Sequence, residues 1–168
     1  MSKFGYSKEN PFHISVASLL TNDLGEICVH HFTKGQLPIE MENRNDLYML
    51  MRGTLEDDET IEKGLAREML EEYGAVGEIV RYVGSIQSHF PYQKQPGMIE
   101  KTTLYFHVKL VEIDETKREV GAVESQSELE WHLPEQLLTL LVEQERTGVR
   151  ADVNDVKILK EFISRSGL

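Results

Sequence analysis

Gly53-Thr54-Leu55-Glu56-Asp57-Asp58-Glu59-Thr60-Ile61-Glu62-Lys63-Gly64-Leu65-Ala66-Arg67-Glu68-Met69-Leu70-Glu71-Glu72-Tyr73-Gly74-Ala75 is the stretch on which the reading of this chain turns. From Glu59 to Tyr73 the apolar residues fall at helical intervals. Ile61, Leu65 and Met69 are four apart, Ala66, Leu70 and Tyr73 stand beside them, and Gly74 sits where helices commonly stop. The same stretch holds eight acids against two bases, more than half of the chain's net charge of −11. On a wheel, Glu68, Glu71 and Glu72 share one arc, set apart from Leu65, Ala66, Met69 and Leu70. Like charges at three- and four-residue spacing cost helix stability. A divalent cation on that face removes the cost, and an all-oxygen carboxylate set suits the hard ions Mg²⁺ or Mn²⁺.

Around this segment the chain reads as one domain, residues 1–168, in the α/β class. His13–Leu20 and Glu26–Phe32 read as strands joined by the Asn22–Gly25 turn, hence a hairpin. Residues 33–45 read as a loop, and Leu47–Met51 as a short apolar run leading into Gly53. Tyr82–His89, Thr102–Val111 and Glu128–Leu133 read as further strands. Pro134 is placed to open a helix through Leu137, Leu138 and Leu141. A last amphipathic helix begins near Asp152, with Val153, Val156, Leu159 and Ile163 on one stripe.

Composition excludes several classes. The acid excess argues against a nucleic-acid partner, because a phosphate backbone would be repelled. The single cysteine, Cys28, rules out an intrachain disulfide. No stretch is long and apolar enough to span a bilayer, and the first residues lack the apolar run of a signal peptide. The expectation is a soluble cytoplasmic protein with no membrane partner. His30 and His31 are neighbours, so on a strand they face opposite ways and do not share a metal; both read as core or surface histidines. His107, Trp131 and Cys28 read as packing residues.

Gly53, five residues, Glu59, seven residues, Arg67-Glu68-Met69, one residue, Glu71-Glu72, one residue and Gly74-Ala75 together resemble the signature of the Nudix hydrolases. Ala75 stands where a larger aliphatic residue is usual, and Met51-Arg52 replaces a common Pro-Gly. The resemblance implies an α/β/α sandwich with a mixed β-sheet, in which this segment forms loop, helix and loop. It implies metal-dependent hydrolysis of a nucleoside diphosphate linked to another moiety, with Glu68 and Glu72 as the main ligands. Glu71 would complete or bridge the site, and the Gly53 carbonyl would be a further ligand. Arg67 and Glu59 would pair to hold the loop against the helix. The general base would be Glu71, Glu100 or Glu128.

Substrate choice in that family lies outside the signature. Pro91 and Tyr92 follow Ala75 by 16 and 17 residues, the first resembling ADP-ribose-cleaving members and the second dinucleoside polyphosphate-cleaving ones. Ile99–Phe106 is similar to a stretch in members acting on dinucleoside polyphosphates or diphosphoinositol phosphates. The reading leans to dinucleoside polyphosphates, with ADP-ribose or sugar nucleotides as the alternative, and Tyr92, Lys94 and Lys101 as substrate contacts. Dimers are frequent in the family, so a homodimer is also expected. Two other classes stand beside the enzyme: a Nudix domain that senses a nucleotide without cleaving it, and an acidic interaction domain whose helix carries charge for solubility.

Overall fold

A computed structural model describes residues 12–34, 46–91 and 97–166. The strands are β1 (Phe12–Thr21), β2 (Ile27–Thr33), β3 (Asp46–Met49), β4 (Arg52–Thr54), β5 (Ala75–Pro91), β6 (Met98–Ile113) and β7 (Glu128–His132). The helices are α1 (Ile61–Tyr73), α2 (Pro134–Arg146) and α3 (Val156–Arg165). Among the described residues the seven strands form one mixed sheet, with the path β3-β2-β1-β6-β5. β4 pairs with β1, and β7 with β2. β1 runs parallel to β6 along its whole length but antiparallel to β2 and β4. The expected hairpin is therefore present only at its base, where Thr21 meets Ile27; beyond it β2 leaves β1 and pairs with β3 and β7.

Successive side chains of β1 point to opposite faces, and both faces are covered. Val16 and Leu20 pack with Leu65, Met69 and Tyr73 of α1. Ala17 and Leu19 pack with Leu137 and Leu141 of α2 and Val156 and Leu159 of α3. The result is the α/β/α sandwich that the resemblance implied. Full burial of Leu65 and Met69 contributes ~1.5–3 kcal/mol each. That outweighs the few tenths of a kcal/mol lost to each like-charge pair on α1.

Several local expectations change. The helix over 59–73 starts two residues later, at Ile61, because the Thr60 hydroxyl caps it by accepting the Lys63 N–H. The strand expected over 82–89 spans Ala75–Pro91, with register shifts near Val76, Ile79 and Tyr82. The run Leu47–Met51 is split between β3 and the approach to β4. The last helix begins at Val156, after a 3₁₀ turn at Ala151–Val153. None of the described helices is long and apolar enough to cross a membrane.

Candidate functional site

The apolar stripe read on α1 is only partly its buried side, and Glu68 and Glu72 are both 8% exposed. Gly64, Leu65, Glu68, Met69, Glu72 and Tyr73 form the buried side, while Ile61, Ala66 and Leu70 are exposed. The helix lies so that its inward stripe runs from Leu65 and Met69 across to the two glutamates. These carboxylates therefore point between α1 and the end of β4.

β4 explains how they fit. Gly53 lies opposite Val16 of β1 in register, and a Cβ built on it would stand 1.7 Å from the Glu68 carboxyl carbon. Only glycine lets the strand approach the carboxylate this closely. The unusual Met51-Arg52 pair is accommodated on either side of it. Met51 is buried under α1, its N–H donating to the Tyr73 hydroxyl at 2.9 Å. Arg52 reaches the other way, to Asp155 and the Asp152 carbonyl.

Arg67 ties the acids together. It donates to both Glu59 oxygens (2.7 and 3.2 Å), to Glu68 Oε1 at 2.8 Å, to Glu71 Oε2 at 3.2 Å and to the Thr54 carbonyl at 3.1 Å. Glu59 also accepts the Glu56 N–H, which closes the loop before the helix. At the other end Gly74 has φ 66°, and its N–H caps the last turn. The segment after β6 is fastened there: Asp114 N–H donates to Gly74 O, and Glu119 N–H to Glu71 O.

These elements enclose a cleft of about 380 Å³ whose lining includes Gly53, Arg67, Glu68, Glu71 and Glu72, and also Glu56, Glu119 and Glu124. Burial pushes the Glu72 carboxyl well above the usual carboxylate range, and the neighbouring Glu124 and Glu68 add to it. Burial also raises Glu68, in spite of Arg67. The charge of these acids is thus incompletely compensated by the protein itself. Among the described residues, no three His, Cys, Asp or Glu side chains are drawn in around a single point as a metal cage. The donor set nevertheless fits a hard divalent cation: several carboxylates face one open cleft, and a bare glycine lies against one of them.

The remaining sequence candidates lie elsewhere. Glu128, exposed on β7, is paired in register with His31, and Glu100 stands 3.6 Å from His89; neither lines the cleft. Lys101 is buried in an ion pair with Asp152 at 3.4 Å, also outside the cleft. Tyr92 and Lys94 lie outside the described residues. Glu119 and Glu124 were missed, because a segment without periodicity carries no pattern that aims its side chains; its richness in acids was the available signal. Of the core and surface readings of His30 the structure selects the core; its Nε2 lies 2.8 Å from Glu72 Oε2, and burial pushes it down to about 3. His31 does face the opposite way, toward Asp46 and Glu130.

The profile of the family described as "NUDIX domain" matches residues 11–152. No curated protein sequence matches the chain significantly. Similar solved structures include a NUDIX hydrolase from Nitrosomonas europaea, 15% identical, with TM-score 0.58 and coverage of 90% of this chain and 88% of that one. The MutT protein of Methanosarcina mazei Go1 is 18% identical, with TM-score 0.57 and coverage of 92% and 95%. The ORF135 protein of E. coli is 21% identical, with TM-score 0.54 and coverage of 90% and 88%. At these identities the likeness concerns the fold.

Proposed function

This chain belongs to the NUDIX domain family, whose hydrolases cleave nucleoside diphosphates linked to another moiety, and from that premise we propose that its substrates are dinucleoside polyphosphates, opened at a phosphoanhydride bond in the acidic cleft. One observation carries the reading. The cleft that would receive a polyphosphate is lined by Glu56, Glu68, Glu71, Glu72, Glu119 and Glu124. Such a lining repels an anion unless cations intervene, and glutamates raised by burial gain most from them. Glu68 and Glu72 would hold the ion, Mg²⁺ or Mn²⁺, with Glu71 and the Gly53 carbonyl beside them. When bound, the ion supplies positive charge against the pyrophosphate and lowers the pKa of an attacking water.

The chain's own residues do the rest. Arg67 keeps Glu59, Glu68 and Glu71 in fixed relation, so the loop and helix present one face. A water attacking phosphorus must lose a proton to a carboxylate within reach. Glu71, Glu119 and Glu124 line the cleft and are the candidates, in place of Glu100 and Glu128. The likeness of Ile99–Phe106 to a stretch in members acting on dinucleoside polyphosphates or diphosphoinositol phosphates is compatible with that substrate class.

The test is a panel of diadenosine polyphosphates, ADP-ribose, sugar nucleotides, NADH, nucleoside triphosphates and diphosphoinositol phosphates, incubated with Mg²⁺ and resolved by chromatography. Preferential cleavage of the diadenosine compounds is the expected result. Preference for ADP-ribose or a sugar nucleotide would overturn the substrate class alone. An intact panel, with one member still raising the melting temperature, would replace catalysis by sensing.

A further inference from the structure

His30 in β2 is fully buried, and its ring is wedged against Tyr73 and Phe32, with centroids 4.8 and 5.8 Å away. Both ring nitrogens are engaged. Nε2 lies 2.8 Å from Glu72 Oε2, and Nδ1 lies 2.7 Å from the hydroxyl of Ser127, itself buried. Arg118 Nη2 donates to that same hydroxyl at 2.8 Å, Nη1 to the Ser127 carbonyl at 2.9 Å, and Nε to the Glu72 carbonyl at 2.7 Å. Glu72 is therefore held at two points by connected groups: its backbone by Arg118 and its carboxylate by His30.

The direction of the hydrogens follows from counting donors and acceptors. An ionised Glu72 offers only acceptors, so the hydrogen of a neutral His30 ring must be on Nε2. Nδ1 is then an acceptor for the Ser127 hydroxyl, whose O–H it shares with the Glu124 carbonyl, 2.7 Å from the same oxygen. The Ser127 oxygen in turn accepts from Arg118, which is a donor only. The Glu124 carbonyl also accepts an Arg118 N–H. The series thus runs from Arg118 through Ser127 and His30 to the carboxylate, with a branch to the Glu124 carbonyl.

We propose that Arg118, Ser127 and His30 form a positioning chain that aims the Glu72 carboxylate into the cleft and couples its aim to residues 114–127, which carry Glu119 and Glu124. The proposal rests on Glu72 being a metal ligand. Groups that hydrogen-bond to a ligand from behind fix its orientation, and their loss commonly weakens metal affinity 10- to 100-fold. Here the effect would originate in a hydroxyl that does not line the cleft. Because Arg118 also holds the carbonyls of Glu124 and Ser127, displacing this segment would disturb Glu72 along with the two acids the segment contributes.

The experiment is Mn²⁺ titration by calorimetry of the wild type, Ser127→Ala, Ser127→Thr, His30→Gln, His30→Asn and Glu72→Gln, with the metal-free melting temperature of each. The expected result is about ten-fold weaker binding for Ser127→Ala and recovery in Ser127→Thr. His30→Gln, whose amide N–H can take the place of Nε2–H, should retain more affinity than His30→Asn, which is too short. Ser127→Ala that lowers the metal-free melting temperature while binding Mn²⁺ like the wild type would reduce the chain to a structural brace. Wild type and Glu72→Gln binding Mn²⁺ equally would instead overturn the assignment of Glu72 as ligand.

Discussion

Gly53→Ala isolates the close approach between β4 and α1. The added Cβ would stand 1.7 Å from Glu68 Cδ and 2.0 and 2.1 Å from its oxygens. Ordinary contact needs about 3.5–4.0 Å, so the carboxylate must retreat by roughly 2 Å. It is the far end of a flexible side chain, so the metal-free fold loses only an off-rotamer strain of ~0.5–1.5 kcal/mol and part of the bond to Arg67. Metal binding suffers far more, because a displaced ligand no longer meets the others. For a 100-fold weaker Kd, a Mn²⁺ concentration that gave the wild type about 2.7 kcal/mol of stabilisation gives the variant about 0.4. The lost 2.3 kcal/mol, roughly, corresponds to about 5–9 °C of Mn²⁺-induced rise in melting temperature for a chain of this size. Thermal unfolding with and without Mn²⁺ measures both parts. A variant that melts much lower without metal, yet gains as many degrees from Mn²⁺ as the wild type, would refute the reasoning.

Glu72→Gln should abolish the Mn²⁺-induced rise and hydrolysis without lowering the metal-free melting temperature at neutral pH, since it removes a charge that burial disfavours; a large metal-free loss would count against that account. Asp155→Ala strands the Arg52 guanidinium, which is 4% exposed, and should cost about 3–5 kcal/mol in urea unfolding; a loss under about 1 kcal/mol would mean that the pair is not buried as described. Arg67→Lys keeps the charge but loses the fork that grips Glu59, Glu68 and Glu71, so turnover should drop by on the order of 10- to 100-fold with little change in melting temperature. Burial by itself would lower His31, but its hydrogen bonds to Asp46 and Glu130 outweigh that and hold the imidazolium above its ordinary range. Its stabilisation is therefore full below the unfolded-state value near pH 6.5 and is lost as pH rises through the folded one. His31→Gln should flatten that part of the stability–pH curve, and an unchanged slope would exclude His31 as its source.

Local features were legible along the chain because they depend on neighbours a few residues apart. The helix of residues 61–73, its glycine stop and the grouping of Glu68, Glu71 and Glu72 follow from 3.6-residue periodicity, while the Glu59–Arg67 pair came from the resemblance to the Nudix signature. Periodicity says which side chains share a face, but not which face the rest of the protein covers. That Glu68 and Glu72 lie on the buried flank of α1, while Ala66 and Leu70 are exposed, is set by how the helix rests on β1 and β4. The contacts of Glu72 with His30, 42 positions earlier, and with Arg118, 46 later, carry no signal in spacing. Nor does spacing show that Lys101 is taken up by Asp152, or that Glu119 and Glu124 face the cleft where Glu100 and Glu128 do not. Spacing within one helix determined the acid cluster. Burial, and with it the lifted pKa of Glu72 and the groups that aim it, was decided by strands and loops far apart in the chain, because desolvation and hydrogen-bond direction exist only once those elements meet.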